Sequence, residues 1–157
     1  TVRISFTYNT AGYLVKKEYY FFNMPEPFLR STYTYNNGNL TRALLENLFP
    51  STEAVIDATV EYNLSQPVNG FMYIFPEGFY TAPYNLSFNF GKRPASTVKK
   101  VTTRIYNGGT ATDSLVTTYK NYKLSRDNYV LELFAEGDYQ EVIGNLDGRT
   151  KFNYFCK

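Results

Sequence analysis

The chain has no histidine among its 157 residues. That absence removes imidazole acid–base chemistry, every histidine-based triad and the commonest zinc ligand. Tryptophan is missing too, and with it the largest platform for stacking on a sugar ring. A single cysteine, Cys156, excludes an intramolecular disulfide, and with only Lys157 beyond it in sequence it reads as an inert thiol. No glycine-rich phosphate motif of the dinucleotide or P-loop kind is present. No stretch approaches the roughly 18 consecutive apolar residues of a membrane-spanning helix. No catalytic residue, no metal and no cofactor are expected from this inventory. The sequence opens at Thr1 without a methionine, which reads as a mature form that has lost a signal or lipid-attachment segment upstream of Thr1.

Charge is nearly balanced, with 16 basic and 14 acidic residues and a net charge of +2. The basic residues are spread along the chain, so no nucleic-acid partner is expected. The densest group, Lys92, Arg93, Lys99 and Lys100, reads as a solvated strand edge that discourages aggregation. Three N-x-S/T sequons start at Asn39, Asn63 and Asn85, about the number that chance placement gives in a chain this rich in Asn, Ser and Thr.

What the chain holds in quantity is aromatic surface: 16 Tyr and 13 Phe make up 18% of it. Rings of this kind favour pleated, half-buried surfaces, and a tyrosine can bury its ring while its hydroxyl reaches water. The length suits one domain, residues 1–157, and the composition suits sheets.

Turn residues divide the sheet into hairpins. Phe6-Thr-Tyr8 leads through a polar turn to Gly12-Tyr13-Leu14, and Tyr33-Thr-Tyr35 leads through Asn36-Asn37 to Gly38-Asn39-Leu40. A third copy runs from Tyr122 and Leu124 to Asn128-Tyr129-Val130, with Asn128 in the glycine's place, since Asn tolerates positive φ best after Gly. Gly12, Gly38 and Asn128 are thus expected at equivalent turns, and Asn107-Gly108-Gly109 is the tightest hairpin signal. Alternation puts Ile4, Phe6 and Tyr8 on one face of a strand, and further strands are expected at 58–64, 70–75, 98–106, 114–124 and 151–155. Apolar residues on both faces at 129–134 point to a central strand. Leu40, Leu44 and Leu48 recur at helical spacing, but the segment leaves a hairpin turn and reads as a strand. Prolines at 76, 83 and 94 mark a long loop or edge enclosing a short strand at Leu86, Phe88 and Phe90. The expected fold is all-β, an antiparallel meander of hairpins forming an open or partly closed barrel-like sheet.

Two groups of residues could carry function. Glu136, Asp138 and Glu141, with Asp127 and Asp147 nearby, form an acidic cluster whose readings are a solvated turn, a calcium site or a glycosidase pair, the solvated turn being preferred. Phe71, Tyr73, Phe75, Phe79, Tyr80 and Tyr84 are the candidate ligand-binding surface, against a competing reading as core or sheet-face packing.

The patterns Phe-x-Tyr-x-x-x-Gly-Tyr-Leu and Tyr-x-Tyr-Asn-Asn-Gly-x-Leu, followed by Gly91, Ser96, Val98 and Lys99 and a long hairpin ending in Asp127-Asn-Tyr129-Val130, resemble an uncharacterised family of Bacteroidetes cell-envelope lipoproteins, a domain of unknown function with a porin-like sheet and tyrosine-rich hairpin repeats. The resemblance is densest at 6–42 and 91–133; it departs at Asn128 and over 44–85. It implies an envelope domain, periplasmic or surface-exposed and lipid-anchored, with no assigned reaction. The expected activity is non-enzymatic binding of a ligand or partner, such as a glycan or an envelope protein. The alternatives are a carboxylate-based glycoside hydrolase and a purely structural envelope scaffold.

Overall fold

In the computed structural model residues 2–50, 52–69, 92, 95–138 and 148–151 are described, the last four by their backbone alone. Among the described residues nine strands follow one another in a single antiparallel sheet whose spatial order is the chain order: β1 (Val2–Tyr8), β2 (Leu14–Phe21), β3 (Leu29–Asn36), β4 (Asn39–Asn47), β5 (Glu53–Pro67), β6 (Ser96–Asn107), β7 (Thr110–Leu124), β8 (Val130–Gly137) and β9 (Gly148–Lys151). Each strand pairs only with its sequence neighbours, and β1 and β9 do not meet. The expected all-β meander is therefore present, and its sheet is open. The segment 39–47 is strand, as its hairpin origin required. Of the strand expected at 151–155 only Lys151 is described, as the last residue of β9; 152–155 lie outside the described residues. The strand expected at 70–75 and the short one at Leu86–Phe90 lie outside the described residues.

One rule organises the hairpins. In the β1–β2, β3–β4 and β7–β8 hairpins the first inward residue lies two positions after Gly12, Gly38 or Asn128, and the next strand residue, Val15, Thr41 or Leu131, is an extra one that the partner strand does not match. A bulge of this sort flips the side-chain parity and adds twist. The inward positions consequently fall at Leu14, Lys17 and Tyr19, at Leu40, Ala43 and Leu45, and at Val130, Leu133 and Ala135, the same spacing three times, and all nine are buried.

The turns that precede this register are of two kinds, which corrects the expectation that all three are alike. Asn9 to Tyr13 and Ser125 to Tyr129 are the same five-residue turn. In each the first residue's N–H donates to the fifth residue's carbonyl, and its side-chain oxygen accepts from the third and fifth N–H groups. Gly12 and Asn128 hold the equivalent positive-φ site, at 85° and 60°. Asn37-Gly38 is instead a two-residue turn with φ of 48° and 79°, and its counterpart is Gly108-Gly109. These two tighter hairpins share their own device. The hydroxyl of the extra residue, Thr41 or Thr112, donates to the carbonyl of Thr34 or Ile105 across the ladder, at 3.2 Å each.

The Asn128 site can be tested directly. A non-glycine residue in the left-handed region costs about 1–2 kcal/mol, and Asn escapes most of that. Asn128→Gly is expected to leave stability unchanged or raise it slightly, whereas Asn128→Val should lower it by about 1–2 kcal/mol in urea unfolding.

The core occupies one face of the sheet. Val60, Val98, Val101, Tyr119, Val130 and Leu133 pack together over β5–β8, and smaller clusters form around Leu14, Tyr33 and Leu40 and around Leu45 and Ile56. Each fully buried aliphatic side chain contributes about 1.5–3 kcal/mol relative to exposure. The opposite face is laced with cross-strand ion pairs: Arg42 with Asp57 through two bonds of 2.7 and 2.9 Å, Lys16 and Arg30 with Glu18, Lys120 with Glu136, and Lys123 with Glu132. A charged outer face over an apolar inner one is the reverse of a lipid-facing barrel, whose outer band is apolar. Lys99 and Lys100 belong to this pattern, facing Glu61 at 3.8 and 3.6 Å. They lie on β6, between β5 and β7, so they do not guard an edge as the sequence suggested.

The connection leaving β5 is pinned to the hairpin turns. Asn69 donates from its backbone to the Asn128 carbonyl and from its side chain to that of Asp127, and Lys92 donates its N–H to the Gly12 carbonyl. Asn39 is buried, its Oδ1 accepting the N–H groups of Ala95 and Ser96. A sequon asparagine held this way is a structural bracket, in line with the chance origin of the motif.

Candidate binding groove

Two connections at the pole opposite those turns, 22–28 between β2 and β3 and 48–52 between β4 and β5, carry an unusual load of exposed apolar side chains. Phe22 is 72% exposed, Phe49 68%, Phe21 51% and Met24 46%. The local sequence explains why. Phe21 and Phe22 are consecutive at a strand end, so they cannot both face the core, and Pro25 and Pro27 withhold the N–H groups that would extend the ladder. Pro50 ends β4's continuation after Leu48-Phe49 in the same way, by its missing N–H. The two connections are tied together by the Leu48 N–H, which donates to the Phe28 carbonyl at 2.9 Å.

Between them lies a groove of about 590 Å³. Its apolar wall is built from Phe21, Met24, Phe28, Leu48 and Phe49, with Glu26, Arg30 and Thr52 at its margin. Phe21 and Phe28 stack with centroids 4.1 Å apart and planes 14° from parallel, which stiffens one wall. Arg30 is already engaged, its Nε donating to Glu18 Oε1 at 3.0 Å. Burial opposes ionisation of Glu18, but the hydrogen bonds from Lys16 and Arg30 outweigh it and hold the carboxyl below its ordinary range. Glu26, by contrast, forms no ion pair among the described residues. The groove thus offers a preformed apolar cleft with few hydrogen-bonding groups and one unspent carboxylate.

The surface favoured from sequence, Phe71, Tyr73, Phe75, Phe79, Tyr80 and Tyr84, lies outside the described residues. Of the acidic cluster, Glu136 is exposed on β8 and paired with Lys120, and Asp138 Oδ2 accepts the Val116 N–H at 3.2 Å. Both are spent on holding the β7–β8 ladder; Glu141 and Asp147 lie outside the described residues. Among the described residues no group of three His, Cys, Asp or Glu side chains is placed to hold a metal ion, and no helix is long and apolar enough to cross a membrane. Comparison of the chain with family models, with curated proteins and with solved structures finds no match.

Proposed function

We propose that this protein is a non-enzymatic binding module of the cell envelope, and that it engages its ligand or partner, glycan or protein, through the aromatic groove between the 22–28 and 48–52 connections. The observation that carries the binding role is the grouping of Phe21, Met24 and Phe49, all exposed, along the lining of a preformed cleft. Exposed apolar patches of this kind mark interaction sites, because leaving such surface in water is costly. The envelope location is supported by the resemblance of the hairpin motifs to envelope lipoproteins.

The test is a mixed array of glycans and peptides probed with the wild-type chain and with a Met24→Ser, Phe49→Ser double variant, both residues lining the groove. Both side chains are exposed, so the variant should keep its circular dichroism spectrum and thermal transition. Wild-type signals are expected to fall about tenfold in the variant, the loss of two apolar anchors. A wild-type chain silent on the whole array, or signals unchanged in the variant, would overturn the proposal.

A further inference from the structure

Three asparagines are followed directly by glycine: Asn37, Asn69 and Asn107. In such a pair the glycine's amide nitrogen can attack the asparagine's side-chain carbonyl carbon, because no Cβ hinders the approach. The attack needs the backbone to leave its folded geometry, so the fold decides which pair reacts. Asn69 is held twice, its N–H donating to the Asn128 carbonyl and its Nδ2 to that of Asp127, both at 2.9 Å. Gly38 is half-buried, with the Tyr13 hydroxyl 3.0 Å and the Ala95 Cβ 3.4 Å from the place a Cβ would take. Asn39 beyond it is buried and accepts the N–H groups of Ala95 and Ser96. Asn107 is placed differently. Residues 107–114, at the tip of the β6–β7 hairpin, are all exposed, and a Cβ added at Gly108 would meet no heavy atom within 4 Å beyond its chain neighbours. We propose that Asn107-Gly108 is a site of spontaneous covalent modification, at which Asn107 loses its amide and becomes aspartate or isoaspartate.

The reaction needs only water. Hydroxide takes the Gly108 amide proton, the nitrogen attacks Asn107 Cγ, and a cyclic imide closes as the Cγ–Nδ2 bond breaks and ammonia leaves with a proton from water. Water then opens the ring. Attack at Cγ leaves aspartate, whereas attack at the Asn107 main-chain carbonyl leaves isoaspartate, whose backbone runs through the former side chain and is longer by a methylene. Nothing is oxidised or reduced. Either product takes one unit from the net charge of +2. The longer backbone falls where Asn107 pairs with Thr110, two residues from the Ile105 carbonyl that accepts the Thr112 hydroxyl at 3.2 Å. The register at the tip is thereby lost, while Val101 and Tyr119 stay packed in the core cluster further down the same strands.

The experiment keeps the whole chain in mildly alkaline buffer and, separately, in denaturing urea. Modified residues are placed by peptide mapping, with an isoaspartate-specific methyltransferase as the label. In buffer Asn107 is expected to react about tenfold faster than Asn37 or Asn69, a barrier difference of about 1.4 kcal/mol. In urea the three pairs should react at similar rates, since each asparagine then has the same neighbour and no fold to hold it. Asn107→Gln, an exposed substitution, should remove the leading acidic species from ion exchange and leave the circular dichroism spectrum unchanged. Equal rates at the three pairs in buffer, a faster reaction at Asn37 or Asn69, or an Asn107 that stays intact in buffer while it reacts in urea, would overturn the inference.

Discussion

Gly137→Ala is expected to be among the most damaging single substitutions in the chain, lowering the unfolding free energy by roughly 3 kcal/mol or more. Gly137 ends β8 at a φ of 136°, a conformation that residues with a Cβ rarely adopt. Strain is only half of the cost. A Cβ at this position would lie 2.0 Å from the Val116 carbonyl oxygen and 3.0 Å from the Thr117 Cα. Both obstacles are backbone atoms of β7, locked in the ladder through the Thr117–Gly137 pair and through Asp138, whose carboxylate holds the Val116 N–H. Nothing there can swing aside as a flexible side chain would. Relief requires β7 and β8 to separate at that end, which also disturbs Tyr119 and Ala135 in the largest core cluster. Gly109→Ala is the matched control: its φ of 75° is also positive, but no heavy atom lies within 4 Å of the added carbon. That variant should lose only about 1 kcal/mol. The comparison is read from urea midpoints at a common m-value; a Gly137→Ala chain as stable as Gly109→Ala would show that the two strands are not packed this closely.

The same close view of backbone register explains what the sequence conveyed and what it hid. Hairpins were legible because their turns need residues that tolerate positive φ, and Gly12, Gly38, Gly109 and Asn128 stand at those positions. The bulges were not, since the extra residue has no composition common to all four hairpins: it is Thr at 41 and 112 but Val15 and Leu131 in the other two. Their effect is visible in hindsight as a broken alternation. On β4 the inward positions are Leu40, Ala43 and Leu45, while Leu44 points to the other face, so the four-residue spacing of Leu40 and Leu44 that imitated a helix joins residues of opposite faces. On β8 the unmatched Leu131 is exposed while Val130 and Leu133 are both buried, a combination that strict alternation forbids.

The groove escaped for a different reason. Phe21, Phe28 and Phe49 belong to the residue types that build the core, and composition does not separate a core phenylalanine from an exposed one. The usable signal was local: two adjacent aromatics followed by Pro25 and Pro27, and Leu48-Phe49 followed by Pro50, are strand ends with more apolar residues than one face can bury.

The tyrosine content leads to the other large effect, a cooperative unfolding of the chain in alkali. Tyr62, Tyr119 and Tyr122 lie on or against the same core cluster across β5 and β7. Burial is the first cause that raises the ionisation of each, pushing Tyr119 up to about 12 and Tyr62 and Tyr122 well above the ordinary range. In the unfolded chain all three ionise near pH 10. The folded state therefore retains protons that the unfolded state has released, so the stability these groups provide is fully present below about pH 10 and declines as the pH rises through about 12. The two-unit displacement of Tyr119 alone corresponds to about 2.7 kcal/mol, and the other two act in the same direction, against a total stability of about 5–15 kcal/mol for a domain of this kind. Tyrosinate absorbance should accordingly show a late group, these three, that appears together with loss of the β-sheet circular dichroism signal. Tyr122→Phe separates the effects. It removes the hydroxyl that donates to the Val98 carbonyl at 2.7 Å, costing about 1 kcal/mol at neutral pH, and it removes one buried acid, so the alkaline decline should be shallower. If all 16 tyrosines titrate together near pH 10 with the sheet intact, the inner face is open to water and the burial that defines this core is wrong.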